Sequence, residues 1–435
     1  MIELAEMQVV VLMGGLGTRL KNYTTDCPKS LVDVCGKPFF DYQLDLLRAW
    51  GFKKFVFLVG YKADMIEEHY GDGSELGISI KYCYDGEKLL GTGGAVRRAL
   101  DLIEDDFILM YGDSFMDIDY AECVYRYLEG KNQGARALMT VLCNNNRFDK
   151  SNVVMDGDRL ALYDKHNPTP EMDYIDYGVC VYEKSLFTPY EKDVAFDIAK
   201  IQHDLSVKGQ MCAQIVTKRF YEIGSPESLA EFSGYVNMRF NESHPAVFVD
   251  RDGVINEIVW NEDIEQLDSP LNVEQFKFID GAVEGLKTLK EKGYYVFVVT
   301  NQPSAAKGKT TLKKLYDINT YMISKLQKED VYIDDIFMCP HYTKELPLTK
   351  EKFLIKNCNC RKPKPGLILR ALRKYNVDMG KSFMIGDSCT DVKAGSEVGL
   401  QTVFLGDLKC DLCKKLGDVN PTFIAKDLSD FAASV

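Results

Sequence analysis

Two aspartates one residue apart, Asp250 and Asp252, close the apolar run 246-AVFVD-250 and lead straight into Gly253. Side chains two apart on a strand share a side, so both carboxylates can converge on one centre at the strand's carboxyl end. A solvated loop or a simple cation site is the other reading of this short stretch. An EF-hand is excluded, because the later oxygen ligands and the closing glutamate are missing. Three further pieces follow in chain order. Thr300 and Asn301 end a second apolar run and offer a hydroxyl and amides to phosphate oxygens. Arg361 and Lys362, in 360-CRKPKPG-366, bring neutralising charge. Asp387, in 383-FMIGDSCTD-391, adds a third carboxylate suited to Mg²⁺. These are the parts a phosphate-ester hydrolase needs.

Between them stand 339-CPH-341 and 358-CNC-360, separated by a sixteen-residue loop. Cys339, His341, Cys358 and Cys360 have the types and the paired half-site spacing of a closed tetrahedral zinc site. The other reading is four ordinary residues in a chain of 13 cysteines. Zinc here would be structural, yet it would aim Arg361 and Lys362, which adjoin the last ligand. Cys410 and Cys413 form a lone Cys-x-x-Cys with no partner pair and read as buried or incidental thiols.

The other chemistry-bearing stretch is 12-LMGGLGTRLKNYTTDCPKSLVDVCGKP-38. Gly14, Gly15 and Gly17 let backbone amides approach a phosphate, while Arg19 and Lys29 supply charge. It is not a Walker loop, and Leu20 stands where a dinucleotide fingerprint needs its last glycine. A glycine-rich turn without a ligand remains the alternative.

The elements that must position these residues are strands alternating with helices. In the first half, strand-like runs at 7–13, 54–59, 106–111 and 137–142 alternate with helix candidates near 39–50, 62–70 and 93–102, which predicts a largely parallel α/β sheet. The polar stretch 234–246 reads as a boundary. Strands at 246–250, 294–300, 331–338 and 382–387 then alternate with helices near 281–292, 311–328 and 365–375. At 435 residues the chain exceeds a single core, so two α/β domains are expected, 1–240 and 241–435. The intervals between Asp250, Thr300 and Lys362 leave no room for a large cap domain. A net charge of −12 argues against nucleic acid as partner. No apolar run reaches the ~20 residues of a membrane span, and the start reads as a strand rather than a signal peptide. The cysteine usage fits a reducing cytoplasm.

The ordered series from 14-GGLGTRL-20 through Pro28-Lys29-Ser30-Leu31, 91-GTGGAV-96, 111-YGDS-114, 164-DK-165, 177-YGVCVY-182 and 221-YEIGSPES-228 resembles the sugar-1-phosphate nucleotidylyltransferases, over roughly residues 5–235. The resemblance implies a Rossmann-like sheet in which Gly14, Gly15, Gly17, Thr18 and Arg19 hold a triphosphate and Lys29 meets the reacting phosphoryl group. Gly91, Thr92 and Gly93 would lie near the base or sugar, and Lys165 would take the sugar phosphate with Tyr177 and Gly178 nearby. Asp113 would hold Mg²⁺ with Glu222, which replaces the family's usual aspartate; Asp164 likewise replaces a glutamate. Within the family the chain looks most like the heptose 1-phosphate guanylyltransferase branch, implying GTP.

The second series resembles the haloacid-dehalogenase-like (HAD) phosphatases, over 246 to about 425. That implies Asp250 as nucleophile, Asp252 as proton donor and acceptor, and Thr300 and Lys362 on the phosphoryl group. Mg²⁺ would rest on Asp250, the backbone carbonyl of Asp252, and Asp387, with Asp391 beside them. With the zinc loop, the series looks like the heptose-1,7-bisphosphate 7-phosphatases, departing at Pro303 and Lys307. The two resemblances imply a bifunctional enzyme making a nucleotide-activated heptose for surface glycan. Alternatives are the same two chemistries on another sugar and nucleotide, or a non-catalytic nucleotide-binding first half. Oligomeric state is not legible.

Overall fold

The computed structural model describes residues 4–15, 20–86, 88–157, 159–261, 265–406 and 420–435. The chain divides into two compact units, Ile2–Val236 and Asn237–Val435.

In the first unit β1 (Gln8–Met13), β2 (Lys54–Val59), β3 (Ser79–Tyr84), β4 (Asp106–Tyr111), β5 (Ala137–Cys143), β6 (Val153–Asp156), β7 (Arg159–Tyr163), β8 (Tyr174–Glu183) and β9 (Met211–Val216) form one sheet. Their order is β3-β2-β1-β4-β8-β5-β9-β7-β6. β1 is buried along nearly its whole length and pairs in parallel with β2 and β4. Its Val-Val-Val-Leu run suits a strand covered on both faces. The expectation of a largely parallel sheet holds for β1 to β4 and needs correction beyond. β8 runs antiparallel to β4 and β5, and β7 runs antiparallel to β9 and β6. Helix α1 (Phe39–Trp50) buries Phe39, Phe40, Leu44 and Leu47 and stops at Gly51, whose φ of 100° is the left-handed turn that favours glycine.

In the second unit β10 (Ala246–Val249), β11 (Tyr295–Asn301), β12 (Asp335–Cys339), β13 (Phe383–Gly386), β14 (Gln401–Leu405) and β15 (Phe423–Ala425) stand in the order β12-β11-β10-β13-β14-β15. Every pairing among them is parallel. Phe248, Phe297, Val299, Phe337 and Met384 build its core. The stretch read as a boundary is in part built into this unit. Arg239 is 2% exposed, donates to Lys374 O at 3.2 Å and stacks over Tyr375, with 4.4 Å from its guanidinium carbon to the ring centroid. The polar sequence misled because a buried arginine, solvated by carbonyls and an aromatic face, reads as linker when its partners lie some 135 residues away.

Candidate active sites

In the first unit the chain turns between β1 and β4, where the strand order reverses and open α/β sheets bind ligands. Gly14 and Gly15 leave β1 there, and Gly112 and Asp113 leave β4. A cavity of about 240 Å³ is lined by Gly14, Gly15, Lys29, Gly91, Thr92 and Asp113, with Leu12, Leu58 and Tyr111 as apolar wall. Lys29 Nζ reaches Asp113 Oδ2 at 2.6 Å. Glu222 pairs across a two-residue ribbon with Ser114, and Ile223 N donates to Asp113 O at 3.0 Å, so the backbone that carries Glu222 runs alongside the segment that carries Asp113. Gly17, Thr18 and Arg19 lie outside the described residues, as do Cys410 and Cys413.

Lys165 and Thr92 meet on a residue that motif reading missed, Asp197. Lys165 Nζ lies 3.0 Å from Asp197 Oδ2, and Thr92 Oγ1 donates to Asp197 Oδ1 at 3.1 Å. Burial pushes Asp197 up, but the amide of Ala199 and Lys165 more than offset it, and its carboxyl ends below the usual range. Two expectations need correction. Gly93 does not line the cavity: a Cβ there would stand 2.2 Å from the Phe196 ring, so its smallness serves packing against 194–196. Tyr177 is 2% exposed, packs edge-on against Phe220 and belongs to the core rather than to a substrate surface. Gly178, at φ +96°, forms part of an irregularity in β8 next to Asp176, which accepts from its amide at 2.9 Å. Burial pushes Asp176 up to about 6.

In the second unit Asp250 emerges from β10, its amide donating to Ile385 O at 2.9 Å. Its Oδ1 lies 2.8 Å from Lys362 Nζ, which also lies 2.6 Å from Asp391 Oδ1. The Lys362 side chain is 2% exposed and that of Asp391 0% exposed. Burial pushes Asp250 upward, and Lys362 opposes that rise. Asp387 is pushed up to about 6 by burial and then by Asp250. Burial lowers Lys362, but Asp250 and Asp391 overcome it and leave the ammonium above its ordinary value. Asp250, Asp387 and Asp391 hold carboxylate oxygens within 4.8 Å of one another, a donor set that fits a hard divalent cation. Asp391 is fixed twice, by Lys362 and by the Ser388 amide at 3.1 Å, as part of the capping box of helix Cys389–Glu397. Gly253 is obligatory: at φ +83°, a Cβ there would stand 2.1 Å from Asp387 Oδ2.

The Asp252 side chain does not join this cluster. Its Oδ1 accepts from Arg251 at 3.1 Å and Asn256 at 3.0 Å, and Oδ2 accepts from Gln302 Nε2. Arg251 is itself buried and donates to Asn319 at 2.8 Å. Gln302 also donates to Thr300 Oγ1 at 2.8 Å, tying the expected phosphate hydroxyl to Asp252. Asn301 needs correction: its Nδ2 donates to Lys362 O at 3.1 Å and its Oδ1 accepts from Lys362 N at 3.0 Å, so it positions Lys362 instead of facing a substrate. Arg361 diverges from Lys362. It donates to His341 O at 3.3 Å and lies over the Tyr342 ring, which Lys307 also faces at 4.9 Å.

Cys339, His341, Cys358 and Cys360 converge. Cys339 Sγ lies 3.7 Å from Cys358 Sγ and from His341 Nδ1, and Cys360 Sγ lies 3.2 Å from both Cys339 Sγ and His341 Nδ1. A tetrahedron with metal–sulfur bonds of about 2.3 Å has edges of ~3.7 Å, so the four atoms fit one small ion. The loop they anchor packs on 303–310, where a Gly308 Cβ would stand 1.9 Å from Leu348 O.

Comparison with known proteins agrees with the division into two units. The Nucleotidyl transferase family matches residues 8–237 and a HAD-hydrolase-like family matches residues 359–431. The chain is 30% identical to the D-glycero-alpha-D-manno-heptose 1-phosphate guanylyltransferase of Campylobacter jejuni, covering 52% of this chain and 98% of that one. It is 36% identical to the D-glycero-beta-D-manno-heptose-1,7-bisphosphate 7-phosphatase of Pasteurella multocida, covering 37% of this chain and 80% of that one. A similar solved structure is HddC from Yersinia pseudotuberculosis complexed with GMP-PN, at 24% identity and TM-score 0.43, covering 53% of this chain and 99% of that one.

Proposed function

The chain belongs to the nucleotidyl transferase family over residues 8–237 and, beyond them, to the family of the heptose bisphosphate 7-phosphatases, and on that premise we propose that it performs two consecutive steps. Heptose 1,7-bisphosphate loses its 7-phosphate, and the resulting heptose 1-phosphate takes GMP from GTP, giving GDP-heptose and pyrophosphate. The observation that carries this reading is that the relatives of the second unit include a 7-phosphatase named for D-glycero-alpha-D-manno-heptose 1,7-bisphosphate, whose loss of the 7-phosphate would leave the alpha-heptose 1-phosphate named for the guanylyltransferase that the first unit resembles.

In the phosphatase, Asp250 attacks the 7-phosphorus, the P–O bond to the sugar breaks, and Asp252 gives the departing alkoxide its proton. Asp252 then takes a proton from the water that attacks the aspartyl-phosphate and releases phosphate. Lys362, pinned by Asn301 and Asp391, opposes the burial that raises Asp250 and meets the phosphoryl oxygens with Thr300. Mg²⁺ on Asp250, Asp387 and the Asp252 carbonyl would neutralise charge at the phosphorus. A zinc ion on Cys339, His341, Cys358 and Cys360 would hold the loop that carries Arg361 and Lys362.

In the transferase, an oxygen of heptose 1-phosphate attacks the α-phosphorus in line and the bond to pyrophosphate breaks. Lys29 lies at the α-phosphoryl group, Lys165 at the sugar phosphate with Asp197 orienting it, and Asp113 with Glu222 would hold Mg²⁺. Gly14 and Gly15 would cradle the triphosphate, a role the family resemblance extends to Gly17, Thr18 and Arg19. The test is pyrophosphate release from each of the four ribonucleoside triphosphates with and without heptose 1-phosphate. Release from GTP with the heptose present supports the reading; binding without turnover, or turnover with another sugar phosphate alone, refutes it.

A further inference from the structure

Gln302 stands one residue past the end of β11, wholly buried. Its backbone amide donates to Cys339 O at 2.8 Å, which fixes it against the end of β12. The side-chain nitrogen carries two hydrogens, and both are engaged. One goes to Thr300 Oγ1 at 2.8 Å and the other to Asp252 Oδ2. A single amide nitrogen therefore draws together the hydroxyl and the carboxylate that the phosphatase reading gives to one phosphoryl group. The other end of the side chain is left alone: among the described residues no donor reaches Gln302 Oε1. A buried acceptor without a partner is costly, and a glutamine kept only for the fold would satisfy both ends. Here the work of the nitrogen outranks the stability of the site.

The remaining donors grip the opposite oxygen of Asp252. Arg251 Nε and Nη2 reach Oδ1 at 3.2 and 3.1 Å, and Asn256 Nδ2 reaches it at 3.0 Å. Arg251 Nη2 stands farther from Oδ2, at 3.4 Å, and its Nη1 is anchored on Asn319 Oδ1 at 2.8 Å. Oδ1 is thus the held end of the carboxylate and Oδ2 the end that Gln302 aims. Thr300 accepts the second amide hydrogen, which turns its own proton outward to meet a phosphoryl oxygen. We infer that Gln302 is a positioning residue of the phosphatase. It sets Asp252 Oδ2 at the departing oxygen and the Thr300 hydroxyl on the phosphoryl group, and it acts through these two side chains alone. The inference rests on the proposed phosphatase chemistry and adds to it the residue that aligns its proton transfer.

The test is a double-mutant cycle in the full chain, reading phosphate release from heptose 1,7-bisphosphate with Mg²⁺. Gln302→Met keeps the length of the side chain and removes the donor. It should lower kcat by about thirtyfold or more and leave KM within about threefold, as the misalignment of a proton donor does. In a chain already carrying Asp252→Asn the same substitution should cost less than about a third of that factor, because the main group it serves has gone. What remains is the share of Thr300. A factor undiminished by Asp252→Asn overturns the inference, since general damage to the fold multiplies with any other loss. So does a Gln302→Met chain whose kcat stays within about threefold of wild type. If Gln302→Met does not fold, Gln302→Glu, which keeps the shape and removes the donor, decides by the same two factors. A wild type that releases no phosphate from this substrate defeats instead the phosphatase reading itself.

Discussion

The two sites handle charge in opposite ways. In the second unit the Lys362 side chain is 2% exposed, that of Asp391 0%, and Arg251 is wholly buried behind Asp252. In the first unit Lys165 and Asp197 are 51% and 44% exposed, and Asp113 is 36% exposed. A covalent mechanism needs one nucleophile held at one angle, so its neighbours are locked before substrate arrives. A transfer between two polyanionic substrates needs charge that can follow them, and side chains that bridge to one another in their absence. Lys165 on Asp197 is such a pair, whereas Lys29 beside Asp113 is 14% exposed and more closely held.

Substitutions can break that contrast, beginning with the most severe. Asp250→Asn should lower phosphate release at least about a thousandfold and leave pyrophosphate release unchanged, because the covalent step has no substitute. Asp113→Asn should do the reverse, costing transfer roughly 10²–10³-fold in kcat while sparing the phosphatase. Loss of both activities in either variant would contradict two independent centres. Lys165→Ala should raise KM for the sugar phosphate about tenfold with a smaller change in kcat, as removal of an exposed binding charge does. Steady-state kinetics with GTP saturating reads this directly.

Two subtler effects follow from burial. Since burial raises Asp250 and Lys362 opposes it, phosphatase kcat/KM should fall on acidification at a pH well above that of a free carboxylate. Lys362→Met should move that limb to still higher pH. Asp387 stands at about 6 against 3.8 unperturbed, so the folded state binds its proton more tightly than the unfolded chain does. Without a divalent cation, stability should therefore decline as pH rises from about 4 to 6, and Asp387→Asn should stabilise the second unit by about 1 kcal/mol at pH 7. Denaturant titrations in EDTA check both, and a destabilised Asp387→Asn would contradict the carboxylate cluster.

Much of this was legible because parallel strands buried on both faces are written as uninterrupted apolar runs. Val9 to Met13, Phe55 to Val59 and Val296 to Val299 leave little choice of element, and the proposed catalytic aspartate Asp250 stands at the end of such a run. β8 was not, because Asp176 and Gly178 interrupt it at its irregularity and its neighbours are antiparallel. The zinc-type ligands announced themselves through half-site spacing, and their side chains converge. Asp197, Asn256 and Gln302 carried no such signal. Asp197 acts through Lys165 and Thr92, 32 and 105 residues away, Gln302 through Asp252, 50 residues away, and Asn256 through a turn of only four residues, and a lone polar residue looks like any solvated loop until the fold closes around it. Tyr177 and Gly93 show the converse, motif residues that the structure places in packing.

The most direct measurement is a single incubation of the protein with heptose 1,7-bisphosphate, GTP and Mg²⁺, with products identified by mass. Two linked activities predict GDP-heptose, inorganic phosphate and pyrophosphate in equal amounts. Accumulation of heptose 1-phosphate with GTP untouched, or GTP consumed while the 7-phosphate stays on the sugar, would contradict them.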